Sequence, residues 1–293
     1  MLEQIKRRIP AQAKKPIKLA LDLFRKPELE YMEVHLTDHC NLNCKGCGHF
    51  CPVATPQYAE LSQYRSDLYR LGQLFRNIRM IRLMGGEPLL HPDPGAFVTA
   101  TRAVFPRTQL RVVTNGILLP QASQDFWDAC RNTDTGIDLT VYPPLHHQAA
   151  VCQSLCDAHG VQLYTGNKVS VFHAHLNLQG DSNQQRAFAL CRREFFCPFL
   201  QAGRLYPCAV PALVRFFNTR FHRQIVADPG IDIHAPTMTG RVILRQLNRP
   251  IETCKWCSYD FVPFPWATSK RVPEEWDAAF HRSRTGSRDT ERR

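Results

Sequence analysis

From Tyr31 to about Val169, short apolar runs of strand length alternate with stretches of helical periodicity. Glu33-Val34-His35-Leu36-Thr37 reads as a strand that ends at a cysteine-bearing loop. Between Ala59 and Arg76, Leu61, Tyr64, Leu68, Leu71 and Phe75 recur on one face of a predicted helix. Met80 to Met84 predicts a second strand running straight into Gly85. A helix over about Gly95–Val104, a strand at Leu110–Thr114 and a helix at Ala122–Cys130 follow. A strand at Ile137–Tyr142, a helix at His147–His159 and a strand at Val161–Tyr164 complete the series. Strands alternating with helices imply parallel pairing, an α/β fold, and functional residues at the strand C-termini.

After His175 the character changes. Cysteines reappear at Cys191, Cys197, Cys208, Cys254 and Cys257, and Phe199 to Tyr206 reads as a hairpin turning at Ala202-Gly203. The division this suggests is a basic extension over 1–30, a barrel over 31–176, a small module over 177–265 and a C-terminal segment over 266–293. The Trp266–Trp276 stretch is expected to pack that last segment over the barrel.

Composition narrows the class. With 293 residues, 44% hydrophobic and 22% charged, the chain can bury a substantial core. No apolar run approaches membrane-spanning length, so no membrane span is expected. Basic residues near the N-terminus are followed by no apolar signal region. Twelve cysteines without an export signal argue for thiols and metal in a reducing cytoplasm, not a disulfide scaffold. The net charge of +11 is spread along the chain with no nucleic-acid-reading pattern, and implies a solvated basic surface. Residues 14–26 read as a short helix confined by Pro16 and Pro27, and the tail after about Arg282 as disordered.

The chemistry lies in two motifs. Cys40, Cys44 and Cys47 are spaced C-x3-C-x2-C, and Met84-Gly85-Gly86-Glu87-Pro88 follows one strand–helix unit later. Three thiolates hold three irons of a four-iron cubane and leave the fourth open to a ligand with its own amine and carboxylate. Glycines allow close backbone approach, and Glu87 can accept from an ammonium. Zinc sites usually pair C-x2-C units and use four ligands, unlike this lopsided three. Together the motifs resemble the radical S-adenosylmethionine (SAM) superfamily.

That resemblance implies a partial (βα)6 barrel, a SAM-binding [4Fe-4S] cluster on Cys40, Cys44 and Cys47, and SAM contacts at Gly85, Gly86, Glu87, Asn115 and Thr140. Glu87 is expected at an exposed strand end. In the family the residue before the third cysteine is often aromatic and near the adenine; here it is Gly46, with Phe50 as a substitute. The second module resembles the auxiliary-cluster modules called SPASM and twitch. The short twitch form matches Cys191, Cys208, Cys254 and Cys257, while Cys191-x5-Cys197 is similar to anaerobic sulfatase-maturing enzymes. One auxiliary [4Fe-4S] cluster is implied, with five candidate thiols for at most four positions.

Cys130, Cys152 and Cys156 read as core residues. Tyr142, His146 and His147 follow the fourth strand, where a general base or substrate contact could sit. Cys51 and Cys197 are the candidate hydrogen donors if the reaction is an epimerisation. The expected function is oxidation or epimerisation of a carbohydrate, cyclitol or similar small polar molecule, with a flavodoxin- or ferredoxin-like reductant. About thirty residues precede the first strand, too few for the leader-binding domain of many peptide-modifying relatives. Peptide modification is the alternative, followed by a non-catalytic iron–sulfur protein.

Overall fold

The computed structural model describes residues 25–286; the helix expected over 14–26 falls almost wholly outside them, as does the end of the basic tail. Five strands form the parallel part of one sheet: β1 (Glu28–Thr37), β2 (Asn77–Gly85), β3 (Gln109–Thr114), β4 (Gly136–Val141) and β5 (Leu163–Lys168). Their order is β5-β4-β3-β2-β1. The helices between them are α1 (Leu61–Leu74), α2 (Pro94–Val104), α3 (Gln124–Asn132) and α4 (Gln148–His159). Local chemistry sets their ends. Asp93 accepts from Ala96 N ahead of Pro94, Ser123 accepts from Phe126 N, and Gly160 closes α4 in the left-handed region.

Alternation along the strands creates two faces. Met32, Val34 and Leu36 of β1, Ile81 and Leu83 of β2, and Leu110 and Val112 of β3 join the helix residues Leu68, Leu71, Phe97 and Phe126 in one buried cluster. Truncating any one of these large buried side chains to alanine costs about 2–5 kcal/mol. Cys130, Cys152 and Cys156 lie in the same cluster, as their helical positions predict. The opposite face carries polar and charged residues, and it forms the floor beneath the site.

The sixth position departs from simple repetition. β6 (Val171–Leu176) pairs antiparallel with β10 (Cys257–Pro265), in a separate two-stranded sheet. β1 pairs instead with β7 (Phe199–Gln201), through Glu33↔Phe199 and Val34↔Leu200. β7 turns through Ala202 and Gly203, both at positive φ, into β8 (Arg204–Tyr206), and β9 (Ile231–Asp232) completes the eight strands. The hairpin of the second module therefore extends the barrel sheet. That module adds α5 (Gln184–Glu194), α6 (Val210–Phe221) and α7 (Gly240–Leu247), with α8 (Ala278–Gly286) after it. No helix among the described residues is long and apolar enough to cross a membrane.

Candidate active site

Cys40, Cys44, Cys47 and Cys51 sit on the loop after β1 and line a pocket of about 240 Å³. Gly85 and Gly86 at the end of β2, Asn115 after β3 and Thr140 on β4 share its wall. Residues from four strand ends thus converge on one cavity. The glycine pair lies directly against the chain leaving β1: Gly86 N donates to Thr37 O at 2.9 Å and Glu87 N to His39 O at 3.0 Å. A Cβ on Gly86 would stand 1.9 Å from His39 O, and one on Gly85 2.3 Å from Thr37 O. Only glycine fits this approach.

Glu87 corrects an expectation. It is not exposed but fully buried, and its carboxylate accepts from Thr114 Oγ1 (2.7 Å), Asn115 N (2.9 Å) and Leu89 N (3.1 Å). The polar groups of β3 and the Pro88 turn draw it inward, away from solvent. Burial pushes its carboxyl up to about 7, against the pull of those three hydrogen bonds. Asn115 is likewise held: its Nδ2 donates to Asn41 Oδ1 at 2.8 Å and its Oδ1 accepts from Ile117 N.

The sulfurs are not equivalent. Leu42 N donates to Cys40 Sγ at 3.3 Å and Trp266 Nε1 to Cys44 Sγ at 3.2 Å. Burial nevertheless holds the Cys40 thiol well above its usual range and pushes Cys44 up to about 12. Cys47 is held below the usual thiol range, chiefly by the neighbouring Cys51 thiol, and Cys51, whose Sγ also donates to His49 O, is correspondingly raised. A metal centre that displaces these protons would be compensated by the N–H donors already aimed at sulfur. The donor set fits a cluster bound on one side by thiolates and open on the other.

The stretch 266–276 straps this loop down. Lys45 N donates to Ala267 O and Ser269 N to Asn43 O, while Trp276 Nε1 donates to Cys47 O at 2.8 Å. Gly46 has φ 59°, and a Cβ there would meet Glu275 O at 2.6 Å, so the strap leaves no room for an aromatic residue. Phe50 does not replace it. Its ring is fully buried against Phe217 and Trp276, in the apolar core of the second module. Tyr142 and Phe172 supply the aromatic lining instead. His146 and His147 are exposed and line no part of this pocket.

His49, another lining residue, begins a polar chain. Its Nδ1 lies 3.0 Å from His35 Nε2, and His35 Nδ1 lies 3.0 Å from Asp38 Oδ1. Arg215 donates to Asp38 Oδ2 at 3.0 Å. Burial lowers His35 to about 4, so this ring is neutral near pH 7. Sequence reading missed His49, Phe172 and the Trp266 contact. Trp266 stands 222 positions from Cys44, beyond any local pattern.

In the second module Cys191 lies on α5, Cys197 precedes β7, Cys208 follows β8, and Cys254 and Cys257 flank the turn into β10. Burial raises all five thiols, Cys197 to about 12. Neighbouring thiols add to the shift: Cys197, Cys257 and Cys191 act on Cys208, and Cys191 acts on Cys254 and Cys257. Among the described residues, no group of three or more His, Cys, Asp or Glu is arranged to hold a metal ion.

No protein-family model matches the chain. A GTP 3',8-cyclase of Sulfurovum sp. (strain NBC37-1) is 31% identical over 124 residues, 42% of this chain and 38% of its own length. One from Geobacter sulfurreducens is 32% identical over 103 residues, 34% of this chain and 31% of its own length. The chain thus spans about a third of these relatives. Among solved structures, BtrN in complex with AdoMet and 2-DOIA aligns over 78% of this chain and 93% of its own, with 15% identity and a TM-score of 0.47.

Proposed function

We infer that this chain, a member of the radical SAM superfamily with a C-terminal module, oxidises a small polar substrate of carbohydrate or cyclitol type. The observation that carries the reading is the single pocket walled by Cys40, Cys44, Cys47, Gly85 and Gly86. The three cysteines would hold the [4Fe-4S] cluster and leave an iron open for SAM. Four of Cys191, Cys197, Cys208, Cys254 and Cys257 would hold a second cluster that accepts the substrate's electron. When bound, the first cluster and SAM supply a 5'-deoxyadenosyl radical that takes one hydrogen atom from a substrate carbon.

The chain's own residues position and protect this chemistry. Gly85 and Gly86 line the pocket where the amino-acid end of SAM would lie, with Glu87 buried behind them as the acceptor for its ammonium and Asn115 held by that same carboxylate. Thr140, Tyr142 and Phe172 line the remainder, and the 266–276 strap fixes the cysteine loop through its backbone hydrogen bonds. Oxidising an alcohol carbon to a carbonyl also releases a proton. His49 is the pocket residue placed to take it. Asp38 fixes the neutral His35 as the Nδ1–H tautomer, so His35 Nε2 accepts from His49 Nδ1–H and leaves His49 Nε2 as the base. A flavodoxin- or ferredoxin-like protein would supply electrons to the first cluster.

A second reading, epimerisation, rests on Cys51, whose thiol lines the pocket and could return a hydrogen atom to the substrate. Cys197, in the second module, is the other donor. Turnover in deuterated water separates the two. An oxidised product without solvent deuterium, unchanged in Cys51→Ala and Cys197→Ala, supports oxidation. Deuterium at the reacting carbon, lost in one of those variants, overturns it in favour of epimerisation.

A further inference from the structure

We propose that a second cavity, of about 580 Å³, binds an uncharged polyhydroxylated ligand, a sugar or cyclitol ring, at a site separate from the cysteine pocket. This goes beyond the reading above and does not depend on the chemistry at the cysteines. The cavity lies where the sheet splits. β1 pairs with β7 only at Glu33 and Val34. After the register shift between His35 and Thr37, β1 takes up the segment 57–59 instead: Ala59 N donates to Leu36 O at 2.9 Å and Asp38 N to Gln57 O at 3.1 Å. The two parallel neighbours then part, because the chain leaving β1 crosses to β2 on one side while β7 turns into β8 on the other. Between parallel strands whose connections leave in opposite directions, the carboxyl ends open into a crevice that suits a ligand. Val34 to Asp38 and Leu200 to Ala202 line the cavity, with Gln63 and Asp67 of α1 and Arg215 of α6.

The charges in this wall are already matched. Arg215 donates to Asp38 Oδ2 at 3.0 Å, to Gln201 Oε1 at 2.9 Å and to Gln57 Oε1 at 3.3 Å. Arg204 donates to the carbonyls of Pro229 and Gly230. Asp67 accepts from Gln63 Nε2 at 2.8 Å and Gly203 N at 2.9 Å, and lies 2.7 Å from His234 Nε2. The remaining carboxylate of the wall is the exposed Glu60. An anion therefore finds no spare cation here.

What the wall keeps unused is neutral. Gln57 Nε2, Gln63 Oε1 and the hydroxyls of Tyr58 and Tyr206 have no hydrogen-bond partner among the described residues. The Tyr206 side chain is buried, yet its hydroxyl is not among the buried unpaired atoms, so it reaches the open space. An amide donor, an amide acceptor and two hydroxyls suit a ligand whose own hydroxyls both donate and accept. Tyr58, 48% exposed, adds an aromatic surface for the C–H groups of a ring. The volume falls in the range of small-molecule sites. His35 lines this cavity while its Nε2 lies 3.0 Å from His49 Nδ1 in the cysteine pocket, so the two cavities share a wall but no lining residue.

The test titrates the anaerobically reconstituted, SAM-loaded protein calorimetrically with methyl glucoside, myo-inositol and glucuronate. At least one of the two uncharged probes should bind, and at least tenfold more tightly than glucuronate, whose carboxylate would be buried without a partner. Tyr206→Phe and Gln57→Ala should each weaken that probe about three- to tenfold. Neither residue lines the cysteine pocket, so SAM affinity and melting temperature should stay unchanged. Failure of both uncharged probes to bind, a preference over glucuronate below tenfold, or an affinity that either substitution leaves unchanged overturns the proposal.

Discussion

Cys40, Cys44 and Cys47 border an open pocket beside a glycine pair, and three N–H groups, from Leu42, Asn115 and Trp266, already point at the sulfurs of Cys40 and Cys44. The five cysteines between Cys191 and Cys257 lie on α5, on either side of the β7–β8 hairpin and at the turn into β10, and burial raises every one of them. The first group has space for a molecule to arrive and leave. The second is half-buried within its own module. Counting thiols does not separate the two groups; the surroundings of each sulfur do.

The largest expected effect comes from the feature that only the first group possesses. Gly86→Ala places a methyl group against the His39 carbonyl, where the backbone must move to admit it. The expected destabilisation exceeds about 4 kcal/mol, with iron lost from the first site. Thermal melting and iron analysis of the variant check this. A melting temperature within a degree of the parent would dissolve the contrast between the groups.

Glu87→Gln comes next. Losing a charge-assisted acceptor costs about 1.5–3 kcal/mol, which is about 10- to 150-fold in SAM affinity. Because Glu87 also ties β2 to β3, SAM titration must be read beside the melting curve. Unaltered affinity in a folded variant excludes the ammonium role.

The same residue gives a pH signature. Its folded pKa, about 7, lies above the value of an unfolded glutamate, so its contribution is fully present below about pH 4.5 and is lost as pH rises through 7. In the metal-free protein, denaturant melts should therefore show the stability advantage of the parent over Glu87→Gln shrinking between pH 5 and 8. A constant difference across that range contradicts it.

The smallest effect concerns tuning. Trp266→Phe removes the N–H donor to Cys44 sulfur and leaves most of the ring's packing. Hydrogen bonds to sulfur stabilise the reduced cluster, so its midpoint potential should fall while the melting temperature stays within a few degrees. An EPR-monitored redox titration reads this directly, and an unchanged potential refutes the tuning role.

The alternating strands and helices were legible because each helix repeats its apolar face and each strand ends at a turn residue. The cysteine loop and Gly85-Gly86 were legible because their spacing is local. Glu87 was misplaced because its burial depends on Thr114 and Asn115, contributed by the next strand. Phe50 was misplaced for a similar reason, since α6 and Trp276 pull it into a core that the pattern around the cysteines does not reveal. The antiparallel pairing of β6 with β10 depends on a partner more than eighty positions away, and the alternation read from the sequence ended at the fifth strand. What the sequence conceals throughout is long-range pairing.

The most direct measurement compares the parent with the Cys40→Ala, Cys44→Ala, Cys47→Ala triple variant after anaerobic reconstitution, dithionite reduction and addition of SAM. The account predicts about eight irons and 5'-deoxyadenosine in the parent, and about four irons with no 5'-deoxyadenosine in the variant. Continued SAM cleavage by the triple variant, or stoichiometric zinc in place of iron in the parent, would contradict it.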